Sequence, residues 1–475
     1  MDYNEFLKTK KRKFEPVGFD VEKESLNNSL FEWQKDMVKW ALKKGRAAFF
    51  WDCGLGKTIS QLSWAQKVHE RTNKPVIVVA PLAVAEQTRQ EGAKFGIECA
   101  VVREQKNVIN GINITNYEIL EHFEPHTFSG VVLDESSILK AFDGKTKKLI
   151  IDFFENTPYK LSCTATPSPN DYMELGNQAE FLGVMSRTEM LSEFFIHDGG
   201  SIQHWRLKGH AEDKFWEWIS SWAMVLSNPT EIGYDGSDFI LPKLNINQIT
   251  VENDKESSDG NQLMLFASEA QTLNDRREAR RGSLKQRCEA AKRLIDLDPE
   301  TQWLFWVDLN TEADELKRLM PEAIEVRGSD SPEYKSDMLT AFSNGKIKIL
   351  ISKPSIAGYG LNWQCCHNMA FVGLSDSYEM LYQAMRRCWR FGQKHEVNVY
   401  IVASELEGAV KQNIERKEKQ NMNMHSKMVK YTRKAIEEET KSCERVTTEY
   451  NPTIEMTLPE WCFEEKEIEK QWQKK

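Results

Sequence analysis

Short runs that are apolar or β-branched almost throughout recur along this chain. In the first half they are Ala47–Trp51, Val76–Ala80, Cys99–Val102, Val131–Leu133 and Lys160–Ser162. In the second half they are Trp303–Val307, Ala323–Val326, Ile347–Ile351, Met369–Val372 and Val397–Val402. A strand with one wet face alternates polar and apolar residues; a strand covered by helices on both faces does not. These runs therefore predict parallel strands inside α/β layers, with helical stretches as the crossovers. The runs recur without any fixed sequence period, so the pattern is two similar layouts in tandem and not a solenoid. A chain of 475 residues is also too long for one typical domain.

Residues 168–245 break the rhythm and read as helical and rich in aromatics. Phe215, Ile219 and Trp222 recur there at helical spacing. The stripe is either a base-stacking platform or the buried face of a helix, and the spacing favours the buried face. Thr250–Gly260 is polar and acidic and reads as a linker or loop. The tail beyond about residue 405 reads as helical, with few core residues beyond Trp461, Phe463 and Trp472.

Several function classes fall away. No apolar run has the length of a bilayer span, so no membrane partner is expected. The N-terminus carries the basic cluster Lys8–Lys13 without an apolar stretch after it, so no secretory signal is read. That cluster is either a nuclear address or, as favoured here, a solvated basic arm. The 9 cysteines are scattered, and Cys365-Cys366-His367 is a poor tetrahedral set, so reduced core cysteines of an intracellular protein are expected. A net charge of −9 argues against wholesale coating of nucleic acid but leaves room for a local basic track.

The stretch Trp51-Asp52-Cys53-Gly54-Leu55-Gly56-Lys57-Thr58 follows the first apolar run and leads into a helix-compatible segment, Ile59–Ala65. A strand, a glycine loop with Lys-Thr and a helix read as a phosphate cradle, with an ordinary turn that happens to carry a lysine as the alternative. Gly54 and Gly56 let backbone N–H groups turn inward. Lys57 brings positive charge to the outer phosphates, the Thr58 hydroxyl is a Mg²⁺ ligand, and the helix N-terminus adds its dipole. The first glycine of the general pattern is replaced by Trp51. Such a site needs one carboxylate for the metal and one for the attacking water. Asp134 and Glu135, at the end of the run Val131–Leu133, supply that pair.

With these residues in place, the chain resembles the helicase superfamily two ATPases, and most closely the Swi/Snf-related DNA translocases. The resemblance rests on motifs in order from about residue 31 to 404: Phe31-Glu32-Trp33-Gln34, Gly54–Thr58, Ala80–Val84, Ile114–Glu118, Asp134–Ser137, Thr164–Asn170, Gly358–Asn362 and Gln383–Gln393. It implies an α/β fold of two RecA-like parallel-sheet lobes in tandem, with a helical insertion and a helical C-terminal tail. The expected boundaries are 1–245 for the ATP-binding lobe with its insertion from about 168, 246–425 for linker and second lobe, and 426–475 for the tail. ATP then sits in the cleft between the lobes with Mg²⁺ on Thr58 and Asp134. The resemblance places Gln34, Leu55, Gly360 and Gln383 around the nucleotide. Pro81, Thr115, Thr164, Thr166, Gly358 and Asn362 would touch nucleic acid or couple it to hydrolysis.

Arg387 and Arg390 lie three apart, the spacing of a shared helix face. By the resemblance, Arg390 is the arginine finger and Arg387 supports the γ-phosphate. Arg386 beside them has no assigned role. Two departures stand out. The acidic motif ends in Ser136-Ser137 where the family commonly has Ala-His, which bears on coupling and not on hydrolysis. The chain also lacks obvious chromatin-reading modules, which suits a stand-alone phage or bacterial member acting in the cytoplasm of the cell or infected host, with a nuclear location still open.

Arg276, Arg277, Arg280, Arg281, Lys285 and Arg287 form the densest basic stretch. It is read as a backbone-contact stripe, with a solvated helix as the alternative. The expected activity is ATP-dependent movement on DNA, with duplex favoured over single strands or RNA and no protein partner identified. A strand-separating helicase and a nucleotide-gated clamp that recruits other factors are the alternatives.

Overall fold

The computed structural model describes residues 17–82, 84–140, 144–197, 205–251, 281–357, 362–373, 377–404 and 408–440. The apolar runs are strands. The first lobe holds β1 (Arg46–Trp51), β2 (Val76–Ala80), β3 (Cys99–Val101), β4 (Ile112–Asn116), β5 (Gly130–Asp134), β6 (Tyr159–Cys163), β7 (Phe195–His197), β8 (Trp205–Leu207) and β9 (Ala223–Leu226). Its main sheet runs β3-β4-β2-β5-β6-β1-β9, and every pairing is parallel. The second lobe holds β10 (Leu244–Val251), β11 (Trp303–Trp306), β12 (Ile324–Val326), β13 (Ile349–Ser352), β14 (Asn368–Phe371) and β15 (Val397–Ser404). Its order is β10-β15-β14-β11-β13-β12, again all parallel. Burial explains the missing alternation: β2 and β5 are buried at every position.

Trp51 stands at the end of β1 for packing reasons. It is fully buried, stacks on Phe49 at 4.2 Å between centroids and meets Trp33 edge-on at 5.1 Å. The indole fills the space under the loop and leaves the two remaining glycines to make the turn.

Three expectations are corrected. Residues 168–245 are not wholly helical: β7 and β8 form an antiparallel hairpin, and β9 is an edge strand of the main sheet. The aromatic stripe, by contrast, is buried as its spacing favoured, since Phe215, Ile219 and Trp222 all have zero exposure. Thr250 and Val251 end β10 instead of opening a linker; residues 252–260 lie outside the described residues, as do Lys8–Lys13, Trp461, Phe463 and Trp472. The tail helix, Gly408–Thr440, does contribute to the core. Ile414 packs into the apolar cluster of the second lobe, and Met424 and Met428 pack into that of the first. Polar contacts follow the same seam: Lys427 pairs with Glu212 at 3.3 Å, His425 meets Glu231 at 3.1 Å, and the Tyr431 hydroxyl donates to Asp213 at 2.7 Å. Met428 is 1% exposed. Met428→Ala is therefore expected to cost about 2–5 kcal/mol, read as a lower urea midpoint for the first lobe.

Lys160 lies inside the first lobe on β6, with its ammonium donating to the Phe181 carbonyl at 2.9 Å. Burial, and then the charge of Arg46, push it down from the ordinary 10.5 to about 7. The unfolded chain keeps this proton up to about pH 10 while the native state gives it up near 7, so the unfolded state binds more protons in between. This group's contribution to stability is thus present at high pH and lost as pH falls towards 7. Lys160→Met is expected to flatten the rise of the thermal midpoint with pH between about 7 and 10; an unchanged slope would mean Lys160 stays protonated in the fold.

Candidate active site

In the first sheet β5, β6 and β1 are adjacent, so the loops leaving their C-terminal ends share one rim. Open parallel sheets bind ligands at that end, where the chain leaves the layer. The loop after β1 runs into the helix Lys57–Thr72. Gly54 has φ 92° and Gly56 φ 71°, left-handed values that disfavour any side chain. Both are also closely approached. A Cβ on Gly56 would lie 2.5 Å from Gln34 Nε2, and one on Gly54 would lie 3.0 Å from the backbone nitrogen of Phe391, in the other lobe. The Lys57 ammonium donates to the carbonyls of Trp51 at 2.9 Å and Asp52 at 3.2 Å, which holds it at the mouth of the loop.

The chain leaves β5 through Asp134 and Glu135. Glu135 has φ 56°, a left-handed backbone that costs a non-glycine residue about 1–3 kcal/mol. Its carboxylate accepts a long hydrogen bond, 3.4 Å, from the Thr164 hydroxyl at the end of β6. Asp134 is 7% exposed. Burial and then the Glu135 charge push its carboxyl up to about 7, against the opposing pull of Lys57 and Gln61. A bound cation would counter that displacement by favouring the carboxylate form. Thr58 and Asp134 line the same cleft and are hard oxygen donors of the kind Mg²⁺ takes. Among the described residues no group of three or more His, Cys, Asp or Glu forms a metal cage, so these two donors suit a cation shared with phosphate and water.

The second lobe closes the cleft with Asn362, Arg387 and Arg390, which face Gly54, Gly56, Lys57, Thr58, Asp134 and Glu135 across about 190 Å³. Arg387 and Arg390 do not share a helix face as expected. The helix Tyr378–Met385 ends before them and the chain continues as turns, yet both side chains reach the cleft. Burial, then the charge of Arg387, lowers Arg390 to about 10. Crowded, desolvated guanidinium groups of this kind are stabilised by an anion between them. A larger hollow, about 530 Å³, lies beside Thr72, Lys74, Ser129 and Pro158, just before β2, β5 and β6 begin. It sits at the N-terminal ends of the strands, away from the glycine loop.

Other expected site residues fall behind the cleft wall. Gln34 is 2% exposed; its amide accepts from the Phe31 N–H at 2.9 Å and donates to the Leu55 carbonyl at 2.9 Å, so it braces the loop from below. Gln383 and Thr115 are buried at 1% exposure, and Thr115 is therefore not placed to touch a nucleic acid directly. Its neighbour Tyr117 instead donates to the Asp134 carbonyl at 2.7 Å. Pro81 follows β2 at the rim beside the exposed Leu82. Arg287 is corrected outright: it is fully buried, paired with Glu312 at 2.7 Å and donating to the Val372 carbonyl, so it belongs to the core of the second lobe and not to a basic stripe. Arg281 is exposed. Gly358, Gly360, Arg276, Arg277 and Arg280 lie outside the described residues.

Sequence reasoning missed a polar chain between the lobes. The Thr166 N–H donates to Thr164 Oγ1 at 3.1 Å, and the Thr166 hydroxyl donates to Glu379 of the second lobe at 3.3 Å. Lys140 of the first lobe also pairs with Glu379. Glu379, Tyr382 and Arg386 follow one another at three- and four-residue spacing, a signal legible only once the partner lobe is known.

Comparison with known proteins agrees with this layout. The family profile of the SNF2-related domain matches residues 33–195, and that of the helicase conserved C-terminal domain matches residues 286–392. Protein p41 of Acyrthosiphon pisum secondary endosymbiont phage 1 is 23% identical over 371 residues, covering 66% of this chain and 77% of its own length. The solved structure of the Sulfolobus solfataricus SWI2/SNF2 ATPase core in complex with dsDNA is 18% identical, covers 89% of this chain and 97% of that one, and superposes with a TM-score of 0.42. The two domain matches together span more than half of the chain, each on its own parallel sheet, and the cleft between those sheets holds the motif residues of both. The chain belongs to the Snf2-like helicases of superfamily two, which are nucleic-acid-dependent ATPases.

Proposed function

We propose that this protein is an ATP-driven translocase on duplex DNA. One observation carries the reading: Lys57, Asp134 and Glu135 of the first lobe and Arg387 and Arg390 of the second line a single cleft. ATP bound there has its phosphates on the loop amides, on the N-terminus of the helix Lys57–Thr72 and on the Lys57 ammonium. Thr58 and Asp134 would hold Mg²⁺, which neutralises phosphate charge when bound. Glu135 orients and polarises the attacking water. Arg387 and Arg390 offset charge on the transferred phosphoryl group, and they do so only when the second lobe is seated. Hydrolysis therefore reports closure. If each lobe grips the phosphate backbone in turn, closing and opening become directed movement.

The SNF2-related match supports DNA as the track, and the exposed rim after β2 and the exposed Arg281 are candidate phosphate contacts. Among the described residues no helix is long and apolar enough to cross a membrane. The phage relative fits a cytoplasmic setting in a bacterial or infected cell.

Lys57→Ala is expected to weaken ATP binding by at least about 10-fold, read by titration with a fluorescent ATP analogue. Glu135→Gln and Arg390→Ala are expected to bind nucleotide normally and to lose about 10³-fold or more in turnover. Wild-type turnover in Arg390→Ala with DNA present would remove the finger assignment.

Steady-state ATP hydrolysis with duplex DNA, single-stranded DNA and RNA tests the track. Duplex DNA is expected to stimulate most, and the stimulation is expected to fall steeply between about 50 and 200 mM salt. Strongest stimulation by single strands or RNA would replace the translocase reading with a strand-separating helicase. No stimulation by any of them would replace it with a nucleotide-gated clamp.

A further inference from the structure

Arg386 is the arginine of its motif to which the resemblance assigns no role, and it is buried. Its side chain is 3% exposed although it crosses from one lobe to the other. One guanidinium nitrogen donates to the Asp52 carboxylate at 2.6 Å and to the Cys53 carbonyl at 2.7 Å. The Tyr382 hydroxyl donates to the same carboxylate, and the Cys53 N–H closes back onto it at 2.7 Å. Asp52 and Cys53 are the residues that lead into the phosphate loop, and the Asp52 carbonyl is one of the two that hold Lys57. On the other side, Arg386 directly precedes Arg387 and lies one turn before Arg390.

We propose that Arg386, paired with Asp52, is a positioning residue that sets the register in which Arg387 and Arg390 meet the phosphate loop. Three observations support it. The contact is anchored at both ends to the reacting machinery, within one or two residues of it. The packing leaves no slack, since a Cβ on Gly54 would already lie 3.0 Å from the Phe391 nitrogen and 3.7 Å from Arg390 Cβ. Burial opposes the Arg386 charge, while Asp52, Tyr382 and Cys53 together more than offset it, so the cation is held by the phosphate-loop side of the contact as well as by its own lobe.

The pair is also incompletely satisfied. The Nε and Nη1 atoms of Arg386 are buried without a hydrogen-bond partner, though the cation lies over the Trp389 ring at 4.8 Å. A buried, half-satisfied guanidinium regains its hydration when the surfaces part. Because this one sits between lobes and not inside either, that relief needs only opening of the cleft and no unfolding. The pair therefore fixes the geometry of closure without making closure permanent, which leaves the balance to ligands in the cleft. Tyr382 and Arg386 are one helical turn apart, so both reach the same carboxylate and define its direction as well as its distance.

The inference rests on the ATPase reading of the cleft. The test is a double-mutant cycle with Asp52→Asn, Arg386→Gln, the double variant and Arg386→Lys. It measures ATP turnover with duplex DNA, nucleotide affinity, and small-angle scattering with ADP–beryllium fluoride. Each neutral variant is expected to lose about 10- to 100-fold in kcat, with nucleotide affinity changed by less than about threefold. The double variant is expected to be no worse than either single, and Arg386→Lys to recover part of the loss. The neutral variants are also expected to compact less than wild type on binding the analogue. Wild-type kcat in both singles, losses that simply multiply, or compaction equal to wild type would overturn the proposal. If Arg386→Gln shows no cooperative thermal transition, the comparison of Arg386→Lys with Asp52→Asn decides the same question. A wild-type protein that binds but does not hydrolyse ATP would overturn the ATPase reading instead, and the scattering comparison would still report on the pair.

Discussion

A parallel sheet returns its chain across a face after every strand, so its strand-ending loops gather on one rim. That constraint organises this molecule twice over. In the first lobe it brings the glycine loop after β1, the carboxylates after β5 and the threonines after β6 to adjacent positions, although they are far apart in sequence. In the second lobe it sends the segment after β14 towards the same space. Neither rim is a complete site. One carries a lysine, a threonine and two carboxylates; the other carries guanidinium groups that have little to act on unless the rims face each other. The cleft lining is divided between the lobes, and the two rims meet across it.

How much of this was legible in the sequence depends on whether a residue acts on neighbours along the chain or across it. Gly54, Gly56 and Lys57 are local: loop geometry and charge follow from adjacent residues, and the glycines take left-handed backbones in the turn between β1 and the helix Lys57–Thr72. Most central strands were legible because burial on both faces removes alternation; β4 was not among the runs, since its buried Asn113 and Thr115 alternate with isoleucines, and the edge strand β10 was not, since its exposed and half-exposed residues look like loop. Arg287 shows the opposite failure. Its position in a run of arginines suggested a solvated stripe, but Glu312, twenty-five residues on, neutralises it inside the core, and no local signal distinguishes the two fates. Gln34 falls between these cases, because the resemblance alone placed it at the nucleotide while its buried hydrogen bonds give it a bracing position.

The Ser136-Ser137 departure can be placed physically. Both serines are buried, and the backbone of Ser136 is held through its carbonyl by Gln178 at 2.9 Å. The polar route out of the acidic motif runs instead from Glu135 to Thr164, on to Thr166 and across to Glu379. Two small buried side chains thus stand where the resemblance expects a coupling residue, while a neighbouring strand end carries a path of hydrogen bonds. The left-handed backbone of Glu135 is consistent with this, since it aims the carboxylate at the rim and not along the strand.

The helix Gly408–Thr440 has one further consequence. It is seated in the apolar core of the second lobe through Ile414 and in that of the first through Met424 and Met428. Pulling the methionines free would cost about 1.5–3 kcal/mol for each one fully exposed. The two halves of the catalytic cleft are therefore held at a high effective concentration by a covalent and packed tether. Their meeting is an intramolecular event whose probability depends on the reach of that tether and not on how much protein is present. Two lobes tied in this way would not have to find one another again after the cleft had opened.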